Sequence, residues 1–305
     1  MTTRLLQPGE IPQATGEPPF AIPPELGTVF LRRAERFEQL GAASSESPWL
    51  SFLATLSRAQ HEALQSFPSV PMPDAEMLER ASQHMMPPIP ANGWARDPAW
   101  RVALQSIIDN LQKKLPDAAR TVSDSLASAR SEDLERIASR VLDLAPESDD
   151  DRAASLFVAA ALQVYWTAMA SRLPDASLAR LDTKGVCPCC GSLPVSSVVR
   201  VGGNVESLRY LHCALCNTEW NLVRVSCAAC EDNAKIAYRS LEGHHPAVRA
   251  ETCDACHGYL KILYLEKDPQ ADPVADDLAT TALDLLLDEA GYERTGPNLF
   301  LLAGA

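Results

Sequence analysis

Eight of the nine cysteines in this 305-residue chain form four C-x-x-C pairs, all in its C-terminal half. The first two pairs recur 40 residues later as the second two, and 22 residues separate the pairs within each copy. Two intervening residues allow a tight turn that directs both sulfurs at one ion, and a second turn completes a tetrahedron about 2.3 Å from each sulfur. The spacing therefore predicts two four-thiolate metal sites, with ligands Cys187, Cys190, Cys213 and Cys216 in the first and Cys227, Cys230, Cys253 and Cys256 in the second.

The constant offset favours two self-contained copies of one small module, with each ion held inside one copy, over a cross-braced arrangement. A module of this size buries little core, and metal binding can supply about 10–16 kcal/mol of its apparent folding free energy. Four thiolates suit both zinc and rubredoxin-type iron. The cofactor prediction is therefore two tetrathiolate-bound ions, iron or zinc.

Three residues beside the predicted ligands allow a second interpretation. Cys189 lies inside the first knuckle and is either a reactive thiol or an incidental residue of the turn, and the second is favoured because nothing indicates a lowered pKa. His212 and His257 adjoin ligand cysteines. Both are expected to support the sites or face solvent rather than to replace a thiolate.

Charge argues against several partners. The chain has a formal net charge of −13 and an isoelectric point near 4.9, which disfavours phosphate backbones and anionic lipid headgroups. Between Lys184 and Lys267 nine Lys and Arg face eight Asp and Glu, so no basic stripe forms around the cysteines. We expect neither a nucleic-acid nor a membrane partner.

The expected location is the cytoplasm. The N-terminal residues contain no apolar stretch of the kind that an export signal has, and grouped cysteines suit a reducing compartment. The most apolar segment, residues 155–170, is shorter than the ~20 residues of a membrane span and is predicted to be a buried central helix.

No cysteine occurs before residue 187, which divides the chain into a cysteine-free and a cysteine-rich part. Together with the helix and strand patterns below, this division predicts an α+β multidomain chain. An extended segment (1–22) precedes an all-α domain (23–182), two four-cysteine modules of the zinc-ribbon kind (183–225 and 226–268) and a C-terminal helix with its tail (269–305). Apolar residues recur at helical spacing in 26–40, 53–67 and 100–115. Further helices are expected at 131–144, 150–173 and 275–290. Alternating β-branched segments flank Gly202-Gly203-Asn204, which predicts a hairpin turn.

At these residues the chain resembles the FdhE family of formate dehydrogenase accessory proteins. The similar segments include VCPCCGSLPVSSVVR, LRYLHCALCNTEWNLVRVSC, ETCDACHGYLKI and, in the helical half, PWLSFLATLSRAQ and FVAAALQVYWTAM. The resemblance implies an all-α domain followed by two rubredoxin-like modules and a non-enzymatic role in the cytoplasm. It also implies action on the catalytic subunit of respiratory formate dehydrogenase before export, and it favours iron more than the spacing alone does.

Three functions compete at this point. The first is the accessory or maturation factor that the resemblance implies, with the formate dehydrogenase catalytic subunit as its partner. The second is a rubredoxin-like electron-transfer protein acting on the same enzyme, and the third, disfavoured by charge, is a nucleic-acid-binding zinc ribbon. No phosphate-binding glycine loop, nucleophile elbow or credibly spaced carboxylate pair indicates an enzyme.

Overall fold

The N-terminal half folds as helices packed around one buried helix. A computed structural model describes residues 18–42, 47–112, 115, 117–201, 207–243 and 245–303. Asp97 Oδ1 accepts a hydrogen bond of 2.8 Å from the Ala99 backbone N–H and so satisfies a free donor at the start of a helix. The helices of this half are α1 (Val29–Ala42), α2 (Ser47–Gln65), α3 (Ala75–Gln83), α4 (Ala99–Leu111), α5 (Asp117–Ser128), α6 (Ser131–Leu142) and α7 (Asp149–Ala170).

The central helix α7 is the segment predicted to be buried. Its length and composition would allow it to cross a membrane, but 94% of its most apolar window is buried inside the protein, as in a core helix. Ser148 caps its N-terminus by accepting the Asp151 N–H at 3.1 Å. Gln163, in the middle of the helix, accepts a hydrogen bond from Gln60 at 3.0 Å and donates one to the Ala214 carbonyl at 2.8 Å. Helix α7 thus joins the helical half to the cysteine-rich half.

The spacing of apolar residues in the sequence did not predict two of the helices, and it placed some helix ends wrongly. Helices α3 and α5 were not predicted, and no residue of α3 is fully buried. Leu26, Phe67 and Leu115, assigned to helical stripes, lie just beyond the ends of α1, α2 and α4.

The cysteine-rich half forms one sheet rather than two separate ones. Its strands run in the order β1-β4-β3-β2-β7-β6-β5, with β8 paired to β7. Each module supplies three antiparallel strands, and β2 and β7 pair in parallel between the modules. The predicted turn at 202–204 lies outside the described residues. The strands are β1 (Ala21–Ile22), β2 (Pro194–Val199), β3 (Arg209–Cys213), β4 (Glu219–Asn221), β5 (Ile236–Arg239), β6 (Val248–Cys253), β7 (Gly258–Tyr264) and β8 (Glu293–Arg294).

The predicted C-terminal helix occurs as two pieces, α8 (Ala275–Leu278) and α9 (Thr281–Glu289). The break falls at Thr280, whose backbone leaves the helical region and whose hydroxyl donates to the Asp276 carbonyl at 2.7 Å. A threonine hydroxyl bonded in this way competes with the backbone ladder of a helix. Gly291 follows α9 with φ +82°, the left-handed conformation expected of a residue that ends a helix.

Two aspartates in the first turn of α8, Asp276 and Asp277, are completely buried and paired. Asp276 accepts a hydrogen bond from Arg36 of α1 at 2.6 Å. Asp277 pairs with Arg294, and its carbonyl accepts a hydrogen bond from Lys261 Nζ at 2.8 Å. Burial favours the neutral acid, but Lys261 and Arg294 hold the pKa of Asp277 below its usual value. These ion pairs fasten the C-terminal segment to both halves of the chain.

We expect Asp277→Asn to lower the free energy of unfolding by about 3 kcal/mol, because it removes the fully buried countercharge of Lys261 and Arg294 and leaves both cations to share Asp284, which is partly exposed. Urea denaturation at pH 7 measures the change. The matched control is Asp288→Asn, the same substitution at an exposed position of α9, with an expected change within about 0.5 kcal/mol. Equal effects of the two substitutions would show that the pairing at Asp277 is not stabilising.

Candidate metal centres

Each of the four C-x-x-C pairs ends in the same backbone turn. The residue after the second cysteine has a positive φ, and in three pairs its N–H donates to the carbonyl of the first cysteine at 2.8–3.0 Å. This turn places the two sulfurs of a pair on one side of the backbone. Glycine occupies the position only once, and the other three residues adopt a conformation that is uncommon for them. The four residues are Gly191 (φ +74°), Asn217 (+58°), Glu231 (+62°) and His257 (+58°).

The eight predicted thiols come together in the two predicted groups. Site 1 is formed by Cys187, Cys190, Cys213 and Cys216, and site 2 by Cys227, Cys230, Cys253 and Cys256. The ligand atoms of each group lie within 4.8 Å of one another. The sites are therefore sequential rather than cross-braced.

The sulfur separations fit ions rather than disulfides. Sulfurs across site 1 are 3.4 and 3.5 Å apart, and those across site 2 are 3.6 and 3.7 Å apart. A tetrahedron with metal–sulfur bonds of about 2.3 Å places its sulfurs about 3.8 Å apart. A disulfide would bring two of them to about 2.05 Å. All nine cysteines are free.

Backbone N–H groups point at the sulfurs of both sites. The N–H groups of Leu215 and Cys216 donate to Cys213 Sγ at 3.4 and 3.3 Å, and that of Ala229 donates to Cys227 Sγ at 3.4 Å. Such donors stabilise a thiolate relative to a thiol, and around iron they also tune the reduction potential.

The two sites differ in burial. All four thiols of site 1 are buried in the main core, where burial raises the pKa of Cys187 and Cys213 well above the usual value. Four thiolates there require a cation, because an uncompensated charge in an apolar core is strongly destabilised. In site 2, Cys227 and Cys253 are buried, whereas Cys230 and Cys256 are exposed.

Cys189 lies in the wall of site 1 and is not one of its four ligands. Its side chain is fully buried, and its carbonyl accepts a hydrogen bond from the Ile89 N–H at 3.2 Å. Burial raises the pKa of its thiol well above the usual value. A thiol in this environment is a poor nucleophile, which supports the interpretation of Cys189 as a residue of the turn.

His212 supports site 1 through residues beside the ligands rather than through the sulfurs themselves. Its Nδ1 lies 3.3 Å from Glu219 and its Nε2 lies 3.2 Å from Asn217, so both ring nitrogens are engaged away from the sulfurs. Asn217, which follows the ligand Cys216, donates to Thr167 of α7 at 2.8 Å and accepts from Arg33 of α1 at 2.7 Å. His257, beside site 2, is exposed instead.

Sequence reasoning missed Asn217, Glu219 and Arg33 as supports of site 1. One signal was present, since Asn217 stands where the first knuckle has Gly191 and asparagine tolerates the left-handed conformation better than most residues. No local signal could pair Arg33 with a residue 184 positions away.

We expect Gly191→Ala to destabilise site 1. Alanine at φ +74° costs about 1–2 kcal/mol, and its methyl group would lie 3.3 Å from Pro87 Cγ, closer than ordinary contact. The control is Gly243→Ala, which has φ +77° and nothing within 4 Å of the added methyl. The melting temperature and the metal content should both fall further in Gly191→Ala. Equal losses in the two variants would mean that the knuckle tolerates the added methyl.

A second expectation concerns acid. Although burial opposes its ionisation, hydrogen bonds from His212 and Arg200 lower the pKa of Glu219 from 4.5 to about 2. Since the folded pKa is depressed, the stability contributed by ionised Glu219 is complete above pH 4.5 and is lost as the pH falls towards 2. We expect Glu219→Gln to cost about 1–3 kcal/mol at pH 7 and less at pH 3.

Denaturation of both proteins at the two pH values gives this difference. Glu76→Gln, at an exposed pair with Arg80, should change stability by less than about 0.5 kcal/mol at either pH. A cost of Glu219→Gln that does not shrink in acid would contradict the assignment.

Helices followed by a sheet that carries two tetrathiolate clusters define a zinc-ribbon-like protein with an appended helical domain. Family models match nearly all of it: "FdhE, N-terminal" at residues 18–183, "FdhE, central domain" at 186–224 and "FdhE, C-terminal domain" at 225–301. The chain belongs to the FdhE family.

Full-length relatives and a solved structure agree with this assignment. The "Protein FdhE homolog" of Edwardsiella ictaluri (strain 93-146) is 42% identical over 284 residues, covering 92% of this chain and 91% of that protein. The "Protein FdhE" of Escherichia coli (strain K12 / DH10B) is 37% identical over 311 residues, covering 100% and 99%. The crystal structure of the FdhE protein from Pseudomonas aeruginosa has a TM-score of 0.83 and 36% identity, covering 92% of this chain and 98% of that one.

Proposed function

We propose that this protein is a non-enzymatic maturation factor that binds the catalytic subunit of respiratory formate dehydrogenase in the cytoplasm before export. The observation that carries the proposal is membership of the FdhE family over nearly the whole chain, with both cysteine clusters intact. The net charge of −13 supports a protein partner over nucleic acid or an anionic membrane. The nine free thiols support a reducing compartment.

We further propose that each cluster binds one ion, iron or zinc. The four sulfurs of either site supply a soft tetrahedral donor set with separations that suit both metals. A bound zinc ion would act as a cross-link of the fold, and a bound iron ion would add reversible one-electron chemistry. The knuckle turns orient the sulfurs, the N–H groups of Leu215, Cys216 and Ala229 stabilise thiolates, and the core excludes water from site 1.

Partner binding is tested by mixing the purified full-length protein with the isolated catalytic subunit that retains its export signal. We expect a complex on size-exclusion chromatography under reducing conditions. A non-cognate exported oxidoreductase subunit serves as the control. Absence of a complex under both reducing and oxidising conditions would refute the binding step.

Electron transfer is a second candidate, because N–H donors at both sites and exposed sulfurs at site 2 are features that an iron-thiolate centre could use. It requires iron and a reversible change of visible absorbance on reduction. Protein purified anaerobically with zinc alone at both sites would eliminate this candidate.

A further inference from the structure

The two modules have identical cysteine spacing but differ at the residues between the cysteines. At the position just before the second cysteine of each pair, site 1 has Cys189 and Leu215, both buried. Forty residues later, site 2 has Ala229 and Ala255, both exposed. The larger side chains of Cys189 and Leu215 pack into the core around site 1. The smaller side chains of Ala229 and Ala255, which form the rim of site 2, leave that site open.

The helical domain covers site 1. The N–H groups of Ile89 and Ala91 donate to the carbonyls of Cys189 and Cys190 at 3.2 and 2.8 Å. From the other side, Gln163 of α7 donates to the Ala214 carbonyl at 2.8 Å. These bonds hold both knuckles of site 1 against buried elements of the fold.

Site 2 lacks such a cover. Within the described part of the chain, no hydrogen bond from residues 18–182 reaches its two knuckles. The first of them is held by Lys184, whose Nζ lies 2.6 Å from Glu231 at a half-exposed position. The second is held by the C-terminal segment, where the Tyr292 hydroxyl donates to Asp254 at 2.6 Å and the Glu293 N–H donates to the His257 carbonyl at 2.8 Å. Cys230 and Cys256, one from each knuckle, are exposed residues.

We propose that site 2 is an exchange site, at which the folded protein takes up and releases a thiophilic divalent ion, whereas the ion in site 1 is a permanent structural cross-link. This inference rests on the proposed binding of metal at both sites. It assigns different roles to two sites with the same ligand set and the same spacing.

The physical reason is access. A competing ligand can reach the ion at site 2 by displacing the Cys230 or Cys256 sulfur first, and the released thiolate stays in water, where it can accept a proton. Neither the segment at 87–91 nor α7 has to open for this step. At site 1 a competitor must wait for the segment at 87–91 or α7 to separate from the knuckles, and such local opening costs free energy.

The test uses the full-length protein loaded with two zinc ions and an excess of the chromogenic chelator 4-(2-pyridylazo)resorcinol. We expect one zinc per chain to leave at least about tenfold faster than the other, because only the second release requires opening of the core. Brief alkylation with iodoacetamide after the fast phase, followed by peptide mapping, should label site 2 cysteines and leave site 1 protected.

A matched pair of variants tests the rim. Ala255→Leu gives site 2 the residue that site 1 has at Leu215 and should slow the fast release several-fold. Ala282→Leu, at an exposed position of α9, should leave it unchanged. Release of both ions at one rate, or label at site 1 in the fast phase, would overturn the inference. Failure to bind two zinc ions would instead refute the proposed metal sites.

Discussion

Charge buried in an apolar core must be compensated, and much of this structure follows from that constraint. Desolvation of an ion costs several kcal/mol, which only a close countercharge and hydrogen bonds can offset. Site 1 places four sulfurs in the core, where a cation would compensate their charge. Elsewhere the chain supplies both charges, as where Arg209 of β3 meets Glu251 of β6 at 2.8 Å, with both side chains almost completely buried. That pair crosses from one module to the other.

The same constraint explains how distant segments are joined. Two arginines lie on neighbouring turns of α1. Arg33 contacts Asn217 beside site 1, and Arg36 contacts Asp276 in α8. The helical domain therefore reaches the first module and the C-terminal segment through buried polar contacts as well as through apolar packing. Because a buried guanidinium has few alternative partners, these contacts specify one arrangement of the three segments more strictly than a purely apolar interface would.

The cysteine turns and the most apolar helix were predictable from the sequence, whereas helices α3 and α5 and the long-range pairings were not. Cysteine spacing predicted the ligand grouping, because a knuckle is a turn of a few residues and each site uses two neighbouring turns. The apolar run in α7 predicted its burial. The parallel pairing of Ser197 with Ile262 could not be predicted, since neither strand encodes its partner. The difference in exposure between the two sites was not predicted either. It depends on packing against α7 and the segment at 87–91, and its one signal in the sequence is that Cys189 and Leu215 are replaced by Ala229 and Ala255 in the second copy.

The strand order has a consequence for synthesis on the ribosome. Ala21 of β1 pairs with Trp220 of β4, so the first strand made must wait for about two hundred further residues before its partner exists. The outer edge of β2 likewise stays open until Tyr264 of β7 has emerged. An open strand edge is a template for wrong pairing. Until Tyr264 has emerged, the nascent chain already contains the four cysteines of site 1, but its sheet is incomplete. The last strands of the second module then complete the sheet.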